Sequence, residues 1–233
     1  MKGIVLAGGL GTRLLPLTKT TNKHLLPVYN RPMIYYPIQM LVEAGIEEIM
    51  IVTGGHNAGE FLRLLGNSYQ QGQGGIADAL KLTEDFADKG EVVVVLGDNF
   101  LEKGITEYVE RFRRQHEGAR ILLKEVDDAQ AFGVAEFKDE KLVRIIEKPE
   151  NPPGNLAVIG VYMYDNEVYD IVRDLKPSPR GELEIADVNN AYIQRGKISW
   201  EIVDGWWADA GESFESLFRA GRLVAMKELG KSL

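Results

Sequence analysis

The stretch Gly3-Ile4-Val5-Leu6-Ala7, followed without a break by Gly8-Gly9-Leu10-Gly11-Thr12-Arg13-Leu14, decides how the rest of this chain is read. A short, continuously apolar run that ends in clustered glycines predicts a buried parallel strand feeding a loop whose backbone can lie against a ligand. Glycine removes the side chain so that N–H groups can face an anion, and the Arg13 guanidinium adds a fixed positive fork. Residues 8–13 are therefore a candidate polyphosphate site. They are not a P-loop, because no Gly-Lys-Ser/Thr follows. They are not a GxGxxG fingerprint either, because Arg13 and Leu14 stand where that pattern would continue. Taken alone, the stretch is also compatible with a tight strand-to-helix connection bearing a surface arginine.

Working outward, residues 16–28 hold two prolines around polar side chains with little helical period, which predicts an extended excursion around a site. Lys23 lies in it, and a loop lysine is as often solvated surface as functional. Its neighbour His24 reads as a packing or hydrogen-bonding residue, since no second metal-ligand type stands at helical spacing from it. Residues 33–44 suit a helix with Pro37 in its first turn and Gly45 at its stop. Residues 48–55 then form a strand with a glycine exit, and strand, helix, strand in that order implies a right-handed crossover and a parallel sheet. A helix over about 58–65 comes next. The glycine-rich loop Tyr69-Gln70-Gln71-Gly72-Gln73-Gly74-Gly75 then opens a helix reaching about residue 87, whose first N–H groups can meet an anion or a carbonyl. Gln70 is the glutamine of interest there, because an amide can both donate to a carbonyl and accept from a ring N–H.

The run Glu91-Val92-Val93-Val94-Val95-Leu96-Gly97-Asp98-Asn99 predicts a central buried strand that delivers Asp98 just past its C-terminal end, where ligands sit in open α/β sheets. Asp98 is either a helix cap or a metal ligand, and several residues separate it from any helix. A helix over 105–115 and a strand over 119–125 continue the alternation. Strands at 132–137, 141–149 and 156–164 then follow without helices between them, so the second half carries antiparallel or mixed sheet. Glu147-Lys148-Pro149 ends one of these, where a surface ion pair would explain the two charges as readily as a site. The stretch from Arg180 opens a helix ending near Gly196, and residues 198–203 form a strand. Asp204-Gly205-Trp206-Trp207-Ala208-Asp209-Ala210-Gly211 sets a second aspartate at an element's end, before a last helix opened by Ser213 and running to about residue 229.

The 233 residues carry 45% hydrophobic side chains, enough for one full core, and a formal net charge of −8. That balance argues against a nucleic-acid binder, which shows a basic footprint. An acidic chain that handles phosphates must concentrate its cations locally or borrow metal ions. The absence of cysteine excludes disulfides, thiolate metal sites and cysteine nucleophiles. No run reaches the length of a membrane span and no signal peptide is visible, so the expected compartment is the cytoplasm, with no membrane partner.

The candidate groups are the glycine loop with Arg13, the cations Lys23, Lys148 and Arg180, and the carboxylates of Asp98 and Asp209. No Ser-His-Asp spacing is present, which disfavours acyl transfer through a covalent nucleophile. Two aspartates at strand ends suit Mg²⁺, which takes one or two protein carboxylates and completes its octahedron with water and substrate phosphates. Phosphoryl or nucleotidyl transfer needs mainly positioning and charge neutralisation. No general base is required if the nucleophile is a phosphate, whose second pKa near ~6 leaves it mostly dianionic at neutral pH.

Together these motifs resemble the sugar-1-phosphate nucleotidyltransferases, and within them the branch that transfers thymidylyl groups to glucose 1-phosphate. The resemblance rests on Gly8 to Leu14 with Pro16, on Lys23-His24-Leu25-Leu26-Pro27-Val28-Tyr29 and on Arg31-Pro32-Met33-Ile34-Tyr35-Tyr36-Pro37. It continues in the same order through Leu96-Gly97-Asp98-Asn99, Phe132-Gly133-Val134, Glu147-Lys148-Pro149, Arg180-Gly181-Glu182-Leu183-Glu184-Ile185 and Trp207-Ala208-Asp209-Ala210-Gly211. It implies a three-layer, Rossmann-like α/β nucleotidyltransferase fold: a mostly parallel central sheet with mixed and antiparallel additions in the second half. One domain over 1–233 would comprise a nucleotide-binding half (1–125) and a sugar-phosphate-binding half (126–233).

The implied reaction is in-line attack of glucose 1-phosphate on the α-phosphorus of dTTP, giving dTDP-glucose and pyrophosphate with Mg²⁺ as cofactor. Carried over residue by residue, Leu6, Ala7, Gly8, Gly9, Gly11, Thr12 and Arg13 would hold the nucleotide with Asp98, while Gln70 and Gly75 would read the base. Arg13, Lys23, Asp98, Lys148 and Asp209 would be catalytic, and Asp98 and Asp209 would bind the metal. Asn99, Gly133, Glu147, Lys148, Arg180 and Trp207 would hold the sugar phosphate. A homo-oligomer, dimer or tetramer, is also implied, and Tyr35 and Trp206 are candidate exposed aromatics or core residues.

Two departures from the family pattern stand out. The segment between Gly66-Asn67 and Gln70 is shorter by roughly one strand, which puts the strand beside the base pocket in question. The chain also stops after the helix near residue 229, where longer relatives carry C-terminal helices linked to feedback inhibition, so weak or absent regulation of that kind is expected. A uridylyltransferase on the same machinery is the nearest rival, because one methyl in an apolar pocket is worth only about 1–3 kcal/mol. A non-catalytic nucleotide-sugar sensor is the rival from another class.

Overall fold

The structure, a computed structural model, describes residues 1–54, 59–61, 69–70 and 75–230. The elements run, in chain order, β1 (Lys2–Ala7), β2 (Pro27–Val28), β3 (Arg31–Pro32), α1 (Tyr35–Glu43), β4 (Ile49–Gly54), β5 (Tyr69–Gln70), α2 (Ile76–Lys81), α3 (Glu84–Ala87), β6 (Val92–Leu96), β7 (Asn99–Leu101) and α4 (Thr106–Gln115). Then come β8 (Ala119–Glu125), β9 (Gly133–Lys138), β10 (Lys141–Glu147), β11 (Leu156–Tyr164), α5 (Glu167–Asp174), α6 (Ile185–Gln194), β12 (Ile198–Ile202), β13 (Trp207–Asp209) and α7 (Phe214–Glu228). Most of the helix expected over 58–65, the shortened segment at 66–68 and Gln71 to Gly74 of the second glycine loop lie outside the described residues.

Two compact units are interleaved along the chain. One comprises Gly3–Gln73, Val95–Glu107 and Asp204–Leu233, the other Met1–Lys2, Gly74–Val94 and Tyr108–Val203. In the first unit β1 lies parallel to β4, with Gly3 opposite Ile49 and Ala7 opposite Thr53, and β5 adds to β4 in the same sense. Ile4 to Ala7 are all buried, as a continuous apolar run in a parallel strand requires. Gly3 lets α1 approach β1, since a Cβ there would stand 3.0 Å from Leu41 Cδ1 and 3.1 Å from Ile46 Cγ2. The helix stops at Gly45, whose φ of +71° favours glycine. The Gly97 N–H donates to the Leu6 carbonyl at 2.9 Å, so the exit of β6 lies beside the exit of β1.

Residues 12–25 are not extended as the prolines suggest. They form three short 3₁₀ turns, Thr12–Leu14, Leu17–Lys19 and Lys23–Leu25, drawn in by burial of Leu14 and His24 and by local side-chain bonds. Thr18 Oγ1 donates to the Gly11 carbonyl (2.8 Å), and Asn22 Oδ1 accepts from the His24 N–H (2.9 Å). A two-stranded ladder pairs β7 with β13, setting Asp209 opposite Asn99. Trp206 is half-buried against a cluster that includes Phe100, Ala208 and Leu223, and Tyr35 is half-buried.

In the second unit β11 runs antiparallel to β8 and β9, β9 antiparallel to β10, and β12 parallel to β8. The α/β class with antiparallel additions in the second half is thus the one expected. Three local readings need correction. The helix expected to run from 76 to 87 breaks into α2 and α3, because the Thr83 hydroxyl turns back on the Leu80 carbonyl (2.7 Å) and meets Tyr169 Oη (3.0 Å). The helix expected from Arg180 starts at Ile185 instead, because Glu184 is extended (ψ 137°) and Ser178 holds residues 178–182 in a turn. Sequence reading also missed α5, although Val168, Tyr169, Ile171 and Val172 make its buried stripe and Asp165 caps it through the Glu167 N–H (3.0 Å). Asn190 of α6 exchanges two 2.8 Å bonds with the backbone of Ile145, which ties the β9–β10 hairpin to that helix.

Candidate active site

In the first unit, the backbone leaves β1 through Gly8 and Gly9 and turns at Gly11, whose φ of +62° opens the 3₁₀ turn carrying Thr12 and Arg13. A Cβ on Gly11 would meet Thr18 Cγ2 at 2.8 Å and Lys23 Cβ at 3.0 Å, so glycine is required twice over there. Leu14 anchors the turn in the core while Gly9 and Thr12 face solvent. The exposed Arg13 guanidinium pairs through Nη1 with Glu212 Oε2 at 2.5 Å.

Behind the loop lies the charge centre. Lys23 Nζ donates to Asp98 Oδ2, and Asn99 Nδ2 donates to Asp98 Oδ1 at 3.1 Å. Burial pushes the Asp98 carboxyl up, but the Lys23 ammonium outweighs it and holds the group well below the usual carboxylate range. Burial likewise opposes the charge on Lys23, and Asp98 overrides it, so the ammonium persists. The β7–β13 ladder brings up Asp209, whose Oδ1 accepts from the Gly211 N–H at 2.8 Å. Burial and the Asp98 charge push the Asp209 carboxyl well above its ordinary value. Two carboxylates therefore share one ammonium, an arrangement short of positive charge. His24 is buried beneath, with Nδ1 2.8 Å from Asn22 Oδ1, and burial first and the Lys23 charge second lower it to about 3, so the ring is neutral. Gly211 fits where nothing larger can, as a Cβ there would lie 2.3 Å from Asp98 Oδ2 and 2.7 Å from Lys23 Nζ. Asn99 and Trp207, both buried, bond one another through Trp207 Nε1 and Asn99 Oδ1 at 2.8 Å.

The second unit assembles another group. Gly75 opens α2 at φ +88°, and a Cβ there would strike the Leu183 carbonyl at 2.6 Å, so the 180–184 turn packs directly on that helix start. Gly133 sits opposite Glu147 on the β9–β10 ladder, leaving room for the carboxylate 3.2 Å from where its Cβ would be. Lys148 takes a φ of +42°, rare for a side-chain-bearing residue, with its N–H donating to the Phe132 carbonyl at 3.0 Å. Arg180 reaches Glu147 (3.5 Å), Glu182 (3.0 Å) and Glu184 (3.7 Å). Burial and then the Glu184 charge raise the Glu147 carboxyl, despite Lys148 and Arg180.

Of the residues singled out from sequence, the first unit thus gathers Leu6, Ala7, Gly8, Gly9, Gly11, Thr12, Arg13, Lys23, Asp98, Asn99, Trp207 and Asp209. The second gathers Gly75, Gly133, Glu147, Lys148 and Arg180. Gln70 ends β5 opposite Gly54, and its side chain lies outside the described residues. Glu212, Glu184 and Asn22 escaped the sequence reading. The Arg13–Glu212 pair spans 199 positions and has no local signal, whereas Asn22 ahead of a turn was recognisable as a cap.

Comparison with known proteins gives the family. The family model for nucleotidyl transferases matches residues 2–227. A glucose-1-phosphate thymidylyltransferase of Neisseria meningitidis serogroup A is 42% identical over 238 residues, covering 96% of this chain and 82% of the relative. A solved structure from Bacillus anthracis, provisionally described as a glucose-1-phosphate thymidylyltransferase and in complex with a sucrose, superposes with a TM-score of 0.90 at 48% identity, covering 96% of this chain and 94% of that one. A UDP-glucose pyrophosphorylase complexed with UDP-glucose superposes with a TM-score of 0.83 at 25% identity, covering 97% of this chain and 98% of that one. The chain belongs to the nucleotidyl transferase family.

Proposed function

We propose that this protein is a glucose-1-phosphate thymidylyltransferase, joining dTTP and glucose 1-phosphate to give dTDP-glucose and pyrophosphate. The observation that carries the reading is the Lys23–Asp98–Asp209 centre behind the Gly8–Arg13 loop, on a chain 42% identical to a relative of that name. The Gly8–Gly11 backbone cradles the triphosphate, and Arg13 neutralises the β- and γ-phosphates that leave. Lys23, kept charged by Asp98, faces the developing charge around the α-phosphorus. Glu147, with the space left by Gly133, accepts from sugar hydroxyls, and Lys148 and Arg180 bind the sugar phosphate.

The residues fit a divalent cation. Asp98, in the turn just before β7, and Asp209, at the end of the paired β13, are hard oxygen donors, and the crowding that raises Asp209 is what a cation would relieve. Mg²⁺ bound there would neutralise phosphate oxygens during transfer. The protein is read as acting in the cytoplasm as a homo-oligomer. UTP is the expected second-best nucleotide, since one methyl separates the bases by about 1–3 kcal/mol. The test is pyrophosphate release from glucose 1-phosphate with dTTP, UTP, CTP or ATP, with and without Mg²⁺. Release should be fastest with dTTP and need Mg²⁺. Preference for UTP would move the assignment to a uridylyltransferase, and no release with any nucleotide would sink the enzyme reading in favour of a nucleotide-sugar sensor.

A further inference from the structure

Arg13 is the exposed cation of the phosphate loop, and among the described residues it is already held by a carboxylate. Its Nη1 lies 2.5 Å from Glu212 Oε2, with the arginine side chain 53% exposed and the glutamate 28% exposed. Both backbones are fixed. Arg13 belongs to a turn pinned by buried Leu14, and Glu212 stands between Gly211, packed on Asp98 and Lys23, and Ser213, which caps α7 through a reciprocal bond pair with Ser216 (2.9 and 3.0 Å). The pair is therefore broken most readily by its two side chains. The Glu212 charge also reaches the centre itself, favouring the ammonium of Lys23 and opposing ionisation of Asp209. A carboxylate in this place competes with a polyphosphate for the Arg13 guanidinium.

We propose that Glu212 is a displaceable internal anion for Arg13. It occupies the guanidinium in the free protein, yields it to the β- and γ-phosphates of the nucleotide, and takes it back as pyrophosphate leaves. This rests on the nucleotidyltransferase reading above. Glu212 is then a positioning residue that sets the balance between holding the nucleotide and releasing pyrophosphate. An exposed ion pair contributes little, so the competition is worth a few-fold in affinity rather than orders of magnitude.

The experiment is a double-mutant cycle over Arg13→Gln and Glu212→Gln, with KM for dTTP, inhibition by added pyrophosphate, KM for glucose 1-phosphate and melting temperature measured for all four proteins. Glu212→Gln should lower the KM for dTTP and the pyrophosphate inhibition constant together, by about two- to five-fold, leaving the KM for glucose 1-phosphate unchanged. In the Arg13→Gln background the same change should give a clearly smaller gain, limited to what the carboxylate's general field contributes. Unchanged or raised constants in Glu212→Gln would overturn the proposal. An equal gain in both backgrounds would overturn it too, since the carboxylate would then act through its general field and not through Arg13. If the wild-type protein turns over no nucleotide, the function assignment fails separately. Calorimetric binding of pyrophosphate to the same four proteins then decides the Arg13–Glu212 exchange, with the same expected pattern.

Discussion

The two charged groups of this protein are built on opposite plans. Around Lys23 and Asp98, with side chains only 17% and 10% exposed, a single buried ammonium serves two carboxylates and bonds directly to Asp98. Around Arg180, itself 43% exposed, three glutamates share one guanidinium at 3.0 to 3.7 Å. Burial makes the first arrangement brittle, because a buried ion left without its partner costs about 3–5 kcal/mol. Redundancy and water make the second forgiving, since exposed pairs contribute about 0–1 kcal/mol each. The difference separates a buried centre that cannot spare a charge from an exposed one that can.

The sharpest way to break that contrast is Asp98→Asn. It strands Lys23 and removes a carboxylate proposed to hold the metal, and steady-state turnover should fall by about a thousand-fold. Near-normal activity would remove Asp98 from the centre and leave the two groups alike. Next in size is Gly211→Ala, whose new methyl would sit 2.3 Å from Asp98 Oδ2. Displacing the Lys23–Asp98 pair by an ångström should cost about a hundred-fold in kcat. Overpacking should lower stability by about 1–3 kcal/mol, read by denaturant unfolding. If kcat survives, the pair tolerates movement and is not brittle.

Much of this was legible in sequence, for a physical reason. Ile4 to Ala7 and Val92 to Val95 announce buried strands because such runs have no other stable home, and the chain then delivers Gly8 and Asp98 at their ends. Elements failed where a side chain turned back on its own backbone. Thr83 broke a helix that period alone would continue, and Ser178 delayed the helix expected at Arg180. What no local pattern encodes is pairing across the chain. The β7–β13 ladder that carries Asp209 to Asp98, the steric demand on Gly211 and the Arg13–Glu212 pair all join residues about 100 to 200 positions apart.

On the forgiving side, Glu147→Gln keeps shape and removes an acceptor's charge. Glu147 is the most specific member of its group, enclosed beside Gly133, so KM for glucose 1-phosphate should rise about ten-fold while that for dTTP stays within about two-fold. Equal effects on both substrates would show that the two groups are not separate in function.

Stability should expose the same contrast through pH. The folded Asp98 value lies below its ordinary 3.8, so its contribution is present above that value and is lost as the pH falls. Asp209 lies above 3.8, so its contribution is present in acid and is lost as the pH rises through the folded value, and ionising it opposes the fold. Asp209→Asn should therefore raise the melting temperature at pH 7 by a few degrees while abolishing the stabilisation that added Mg²⁺ gives the wild type. A lower melting temperature would mean that Asp98 and Asp209 support each other through the backbone more than they repel.

The smallest expected effect is the most informative about redundancy. Arg180→Ala removes the one guanidinium that Glu147, Glu182 and Glu184 share, yet Glu184 keeps its 2.7 Å bond from Ser178 Oγ, and Lys148 still lowers the Glu147 carboxyl. The KM for glucose 1-phosphate should rise less than about five-fold at physiological ionic strength, and the loss should shrink further in added salt, because what Arg180 supplies is screened charge. A loss as large as that of Asp98→Asn, indifferent to salt, would mean that Arg180 meets the sugar phosphate in a water-free pocket. The second group would then be as brittle as the first, and its three glutamates would serve to aim a single arginine.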